Sequence, residues 1–213
     1  MGEIHVKKII LIPTILLLSM TLAACGQSKT QSQTASSSQK SSSSLRVANN
    51  GSAITHDDYE KIQTGNVTGP KDGDAQSTIL KAFGKPDSKS QVTVNSTNKK
   101  AAVQFAWKNV SDHFKASAVT VEFLNGHAIG KGYIEAGIHQ RRYISTASIN
   151  QVHKGNPYRQ VLNVLGTPDA ESVTGSGDLS ARNLTYATGK DGRSISLMFA
   201  GDKLTSKTAT VVK

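Results

Sequence analysis

Among the side chains able to do chemistry, one thiol is singular. Cys25 is the only cysteine in the 213 residues, so no intramolecular disulfide can form. It follows Leu22-Ala23-Ala24 and precedes Gly26, a nucleophile set among small residues. The other candidates form no constellation. His5 lies in the apolar leader. His56, His113, His127, His139 and His153 have neither the H-E-x-x-H spacing nor any other ligand spacing, and are expected to be solvated. Asp72-Gly73-Asp74 lacks the remaining ligands of a calcium loop. Gly175-Ser176-Gly177 is not the G-x-S-x-G of a hydrolase elbow. There is no Gly-rich phosphate loop after a strand, and the 15 acids are spread too evenly to suggest a carboxylate pair. No catalytic residue and no metal ligand is assigned, and the chain is not expected to be an enzyme or to need a cofactor.

The segments around Cys25 explain its setting. Lys7 and Lys8 precede 14 almost wholly apolar residues, Ile9 to Leu22. This is the pattern of a secretory signal peptide, and it is short of the about 20 residues that cross a bilayer. From Gly26 to Ser44 there is no Val, Ile, Leu or aromatic residue, and Ser fills seven of the nine positions 36–44. Such a stretch buries too little apolar surface to offset its ordering entropy. It is expected to be a flexible tether of roughly 25 Å r.m.s. reach. Leu-Ala-Ala-Cys-Gly resembles the lipobox of bacterial lipoproteins at every position. The resemblance implies cleavage between Ala24 and Cys25, diacylglycerol on the Cys25 sulfur with palmitate-type acyl chains, and anchoring in the cell membrane facing away from the cytoplasm. Two chains give stable attachment where one is marginal. The serine-rich tether is similar to those of Gram-positive lipoproteins.

Downstream, the chain repeats itself in order. Ile54–Asn66 aligns with Ile144–Asn156, and Ile79-Leu-Lys-Ala-Phe-Gly-Lys-Pro-Asp87 with Val161-Leu-Asn-Val-Leu-Gly-Thr-Pro-Asp169. Phe105-Ala-Trp107 aligns with Thr185-Tyr-Ala187, and Val119–Phe123 with Ile195–Phe199. Each copy is expected to open with two short helices. Thr55 and Asp58 form a capping box in the first. In the second, Asn156 is the expected N-cap, Pro157 the first helical residue and Gln160 the partner. Val161, Leu162, Val164 and Leu165 are expected to make its apolar face. Gly84 with Pro86, and Gly166 with Pro168, stop the second helix of each copy. Period-two alternation then predicts strands over Val103–Trp107, Val119–Phe123, Leu184–Tyr186 and Ile195–Phe199. Gln91–Val94, Ala128–Glu135, Glu171–Thr174 and Thr208–Val212 are further strand candidates. The predicted fold class is α+β: two tandem units, each two short helices followed by an antiparallel sheet, after a signal peptide and tether. The boundaries are 1–24 for the signal, 25–53 for the lipidated cysteine and tether, 54–137 for the first unit and 138–213 for the second. Helices are expected to cover one sheet face and water the other.

The helix-helix-strands unit with its Gly-x-Pro-Asp stop resembles the β-lactamase-inhibitor-protein-like fold, found as domains of unknown function on Gram-positive lipoproteins. The resemblance implies a non-catalytic module that binds another envelope or secreted protein through its open sheet face. Alternation puts Ala102, Ala106, Gln104, Thr120, Glu122, Asn183, Thr185 and Ser196 on the exposed side. Of these, Gln104, Thr120, Glu122, Asn183, Thr185 and Ser196 are the candidate contacts, with the junction near Ile138–Tyr143. No inhibitory residue carries over by motif, and aromatic residues are only 5% of the chain, against the aromatic-rich faces of the inhibitors. The net charge of +10 supports an alternative. A basic patch at Lys99, Lys100, Arg141 and Arg142 would hold an anionic wall polymer or lipid surface. Export removes nucleic acid as a partner.

Overall fold

The computed structural model describes residues 52–94, 100–114, 116–135 and 143–210, with Lys100 and Glu135 described by backbone alone. The element order is α1 (His56–Glu60), α2 (Gln76–Phe83), β1 (Ser88–Val94), β2 (Lys100–Trp107), β3 (Ala116–Leu124), β4 (His127–Glu135), α3 (Thr146–Asn150), α4 (Tyr158–Leu165), β5 (Ala170–Thr174), β6 (Ala181–Ala187), β7 (Ser194–Ala200) and β8 (Lys203–Thr210).

The expectation of two tandem units, each with its own sheet, is overturned. The strands make one eight-stranded sheet in the order β1 to β8, every neighbouring pair antiparallel. The joint is β4 against β5, from Gly130↔Thr174 to Ile134↔Ala170. The physical reason is the edge. Two separate four-stranded sheets would leave β4 and β5 with unpaired N–H and C=O groups, and pairing them satisfies both. The protein is mostly sheet, and its helices are only five to eight residues long.

The helices lie on one face. Tyr59, Ile79 and Phe83 pack with Phe105, Trp107, Val121 and Phe123 in one core cluster. Val161 and Leu165 pack with Leu184, Leu197 and Phe199 in another. Helices this short are marginal alone, so caps and strand contacts hold them. The Thr55 hydroxyl accepts from the Asp58 N–H at 3.1 Å, and the Asp58 carboxylate accepts from the Thr55 N–H at 3.0 Å, as the capping box requires. Lys131 of β4 donates to the Tyr59 and Glu60 carbonyls at the end of α1. Lys207 of β8 does the same for Ile149 in the last turn of α3 and Val152 just beyond it. These lysines add donors where a helix end runs short of them, although the Tyr59 and Ile149 carbonyls also accept from the Ile62 and Val152 N–H groups at 3.2 Å.

The Gly-x-Pro-Asp elements stop the helices and also tie them to the sheet. Gly84 and Gly166 take φ of 76° and 80°, which glycine adopts freely. Trp107 Nε1 donates to the Gly84 carbonyl at 3.0 Å, and the Tyr186 hydroxyl donates to that of Gly166 at 2.9 Å. The Asp87 carboxylate accepts from the Lys108 N–H at 2.7 Å, and that of Asp169 from the Ala187 N–H.

Three local expectations are corrected. The N-cap of α4 is Pro157 rather than Asn156. The Asn156 side chain instead accepts from the His153 N–H at 2.6 Å, and the Tyr158 N–H goes to Asp202 in the β7–β8 turn. The last strand begins at Lys203 rather than Thr208, because the turn at Gly201-Asp202 returns the chain directly onto β7. Ala102, expected to be exposed, is buried with Leu124 and Ile129 and packed by Val67 and Val92. Between Glu122↔Gly130 and Phe123↔Ala128, Ile129 is an extra residue. A bulge of this kind re-aims a side chain, and here it closes one end of the otherwise open face.

Candidate binding face

The face away from the helices is built by the register. One row across the sheet reads Gln104, Glu122, Gly130, Thr174, Ala181, Ala200. The next reads Ala106, Thr120, Gly132, Ser172, Asn183, Met198, and a third Ala118, Ile134, Ala170, Thr185, Ser196, Thr208. All six candidate contacts, Gln104, Thr120, Glu122, Asn183, Thr185 and Ser196, therefore lie on one face of one sheet, and all are half-buried.

Most side chains here are small, and some are hydrogen-bonded within the face. Ser196 Oγ donates to Asn183 Oδ1 at 2.6 Å, and Thr120 Oγ1 donates to the Gly132 carbonyl at 3.3 Å. Gly130 and Gly132 leave β4 without side chains in the middle of the face. Two apolar side chains stand out: Ile134 is 60% exposed and Met198 38%. Sequence reasoning missed Ile134. Its signal was available, because Gly130, Gly132 and Ile134 share one parity along β4.

Glu122 is the single charged side chain that strands β2 to β7 place on this face among the described residues. Its Oε1 accepts from Gln104 Nε2 at 3.3 Å. Burial pushes its carboxyl above the usual value, and only the Gln104 hydrogen bond opposes that shift. Desolvation disfavours the charged form.

The helix-covered face carries the charges. Near the β4–β5 joint, the Arg182 guanidinium pairs with Glu171 and lies 3.7 Å from the centre of the Tyr158 ring. Tyr158 donates to the same carboxylate at 3.3 Å. Burial raises the Glu171 carboxyl and lowers the Lys131 ammonium. Ile62, Lys131, Val173, Ser176 and Arg182 help line a cavity of about 370 Å³ there. Thr64 and Asn66 bond across to Gly175 and Ser176. Lys131 and Arg182 thus already have partners, and this seam reads as the tie between the β4 and β5 sides rather than as a catalytic centre.

Ala24, Cys25, Lys99, Arg141, Arg142 and the junction from Ile138 to Arg142 lie outside the described residues, as does the side chain of Lys100. No group of three His, Cys, Asp or Glu side chains is placed to hold a metal among the described residues.

Residues 56–212 match the family described as "Domain of Unknown Function with solved-structure structure (DUF3862)". The chain belongs to the DUF3862 family. A search of curated proteins finds no match. Among solved structures, a Streptococcus mutans protein described as "putative beta-lactamase inhibitor protein" is similar at 18% identity. The match has a TM-score of 0.54 and covers 73% of this chain and 94% of that one. At that identity the likeness is one of fold. The DUF3862 chain thus has the fold of a domain whose function is not established, with one face of its sheet left open.

Proposed function

We propose that this DUF3862 protein is a non-catalytic binding module, held outside the cytoplasm by a lipid on Cys25, that binds another envelope or secreted protein through its open sheet face. One observation carries the reading. The open face spans the sheet without a covering helix, carries only Glu122 as a charge on strands β2 to β7 among the described residues, and presents Ile134 at 60% exposure among small residues. An apolar side chain standing on such a surface suits docking by a protein. The fold it shares with the Streptococcus mutans protein supports a binding role, and the inhibitory role named for that protein is not carried over.

The test uses the full chain, anchored in its membrane, to capture protein from detergent-solubilised envelope at low and high salt. Ile134→Arg and Thr185→Arg place bulky cations on the face, away from the core. Capture at both salts that these variants abolish supports the reading. Capture that collapses at high salt and ignores both variants favours the basic patch and an anionic polymer, since the distance beyond which exposed charges are screened shrinks from about 10 Å at 0.1 M to about 3 Å at 1 M salt. For the anchor, Cys25→Ala should release the protein from membranes or leave its leader uncleaved. A fully processed mutant still in the membrane fraction would end that part of the proposal.

A further inference from the structure

Glu122 holds an unusual position on the open face. It lies in the row Gln104, Glu122, Gly130, between a neutral amide and a residue with no side chain. A β-carbon built on Gly130 would sit 3.1 Å from Glu122 Oε2, so the carboxylate leans over β4 into the space that any other residue would fill. Oε1 is taken by Gln104. Oε2 accepts no hydrogen bond from the described residues. No lysine, arginine or histidine pairs with Glu122 among them, although basic residues outnumber acids 25 to 15 along the chain.

A half-buried carboxylate without a cation is a cost to the free protein, because it loses hydration and gains no counter-charge. The same cost becomes specificity when a partner supplies the missing charge. We propose that Glu122 is the specificity-determining residue of the open face, and that it receives a lysine or arginine side chain from a protein partner laid across Gly130 and Gly132. The inference rests on the open face being the binding face. The two glycines leave a floor along which a long side chain can lie, and the small Thr120, Ser172 and Thr174 flank it. The occupant is a protein cation rather than a metal ion, since one carboxylate and one amide are too few ligands for a hard cation. Binding should persist at high salt, because a pair closed off from water is screened far less than exposed charges.

The experiment compares wild type, Glu122→Gln, Glu122→Lys and Thr185→Arg in the full-length anchored chain, with envelope protein captured at high salt and affinity measured on the captured protein. Glu122→Gln keeps the shape and removes the charge, and it should weaken binding about 30-fold or more. Glu122→Lys should abolish binding, and a Lys→Glu or Arg→Glu change at the partner's contacting residue should restore it. By NMR, the Glu122 carboxyl should titrate above the ordinary range in the free protein and below it in the complex. If Thr185→Arg abolishes capture while Glu122→Gln binds like wild type, the role of Glu122 is overturned and the binding face stands. If Thr185→Arg leaves capture intact, or wild type captures nothing at high salt, the binding face itself is overturned and this inference with it. A circular dichroism melt of each variant separates lost binding from lost fold.

Discussion

A β-carbon on Gly132 would lie 2.9 Å from the carbonyl oxygen of Glu171, on the strand paired with it across the β4–β5 joint. The obstacle is backbone, which cannot swing aside as a side chain can. Gly132→Ala should therefore push the two strands apart at the point where the sheet became one. The expected cost is about 1–3 kcal/mol, read as a lower urea midpoint at unchanged slope. Gly130→Ala should cost less, because the Glu122 carboxylate at 3.1 Å can move and the backbone obstacle, the Val173 carbonyl, is farther off at 3.2 Å. Equal midpoints for wild type and Gly132→Ala would show that the approach is looser than described.

Two buried tyrosines on facing elements should respond in opposite ways to loss of their hydroxyls. The rings of Tyr59 and Tyr133 stack edge to face at 4.9 Å. The Tyr59 hydroxyl is buried and has no partner among the described residues, while that of Tyr133 donates to the Pro168 carbonyl at 3.1 Å. An unsatisfied buried polar atom costs about 1–3 kcal/mol, and a made hydrogen bond contributes about 1. Tyr59→Phe should be neutral or stabilising, and Tyr133→Phe should destabilise by about 1 kcal/mol, both read by thermal melts.

Some of this was written locally in the chain. Thr55 and Asp58 are three residues apart, and Gly84 and Gly166 each precede a proline by two. Such signals act within one helical turn and survive reading in one dimension. Alternation likewise placed Gln104, Glu122 and Thr185 on one face, because a strand's period is two whatever lies beside it. What alternation cannot say is which strand lies beside which. The pairing of β4 with β5 depends on two strand edges meeting after a helical excursion, and a prediction of separate sheets failed at that point. Lys131 reaching the Tyr59 carbonyl spans 72 residues, and Asp202 took the role expected of Asn156 from 44 residues away. Ala102 was misplaced for the same reason, since Val67, Leu124 and the bulged Ile129, all distant in the chain, pack over it.

The Arg182–Glu171 pair yields a third prediction. The Glu171 side chain is 1% exposed and that of Arg182 20%. Removing the cation alone leaves a buried carboxylate uncompensated, which typically costs about 3–5 kcal/mol. Arg182→Met should approach that loss, softened by Lys131 nearby. The double variant Arg182→Met with Glu171→Met should recover most of it, since a buried ion pair replaced by apolar volume is often neutral. A double-mutant cycle on denaturation free energies measures the coupling. Additive losses would mean that the two side chains do not act as a pair.

Glu122 sets the sign of a pH dependence. Burial raises its carboxyl above the ordinary 4.5. Between 4.5 and the raised folded value, the unfolded chain has released this proton and the folded chain still holds it. The folded state then binds more protons, so rising pH favours unfolding and the contribution of this group to stability falls through that window. Glu122→Gln removes the titration. Other groups titrate in both proteins, so the informative quantity is the stability of Glu122→Gln minus that of wild type. That difference should grow from pH 4 to pH 7 in paired denaturation curves and level off above the folded value. A flat difference would mean that the carboxylate is as well solvated in the folded chain as in the unfolded one. A growing difference would show that the folded protein carries a carboxylate poorly matched to its surroundings, and that a cation brought by a partner has something to neutralise.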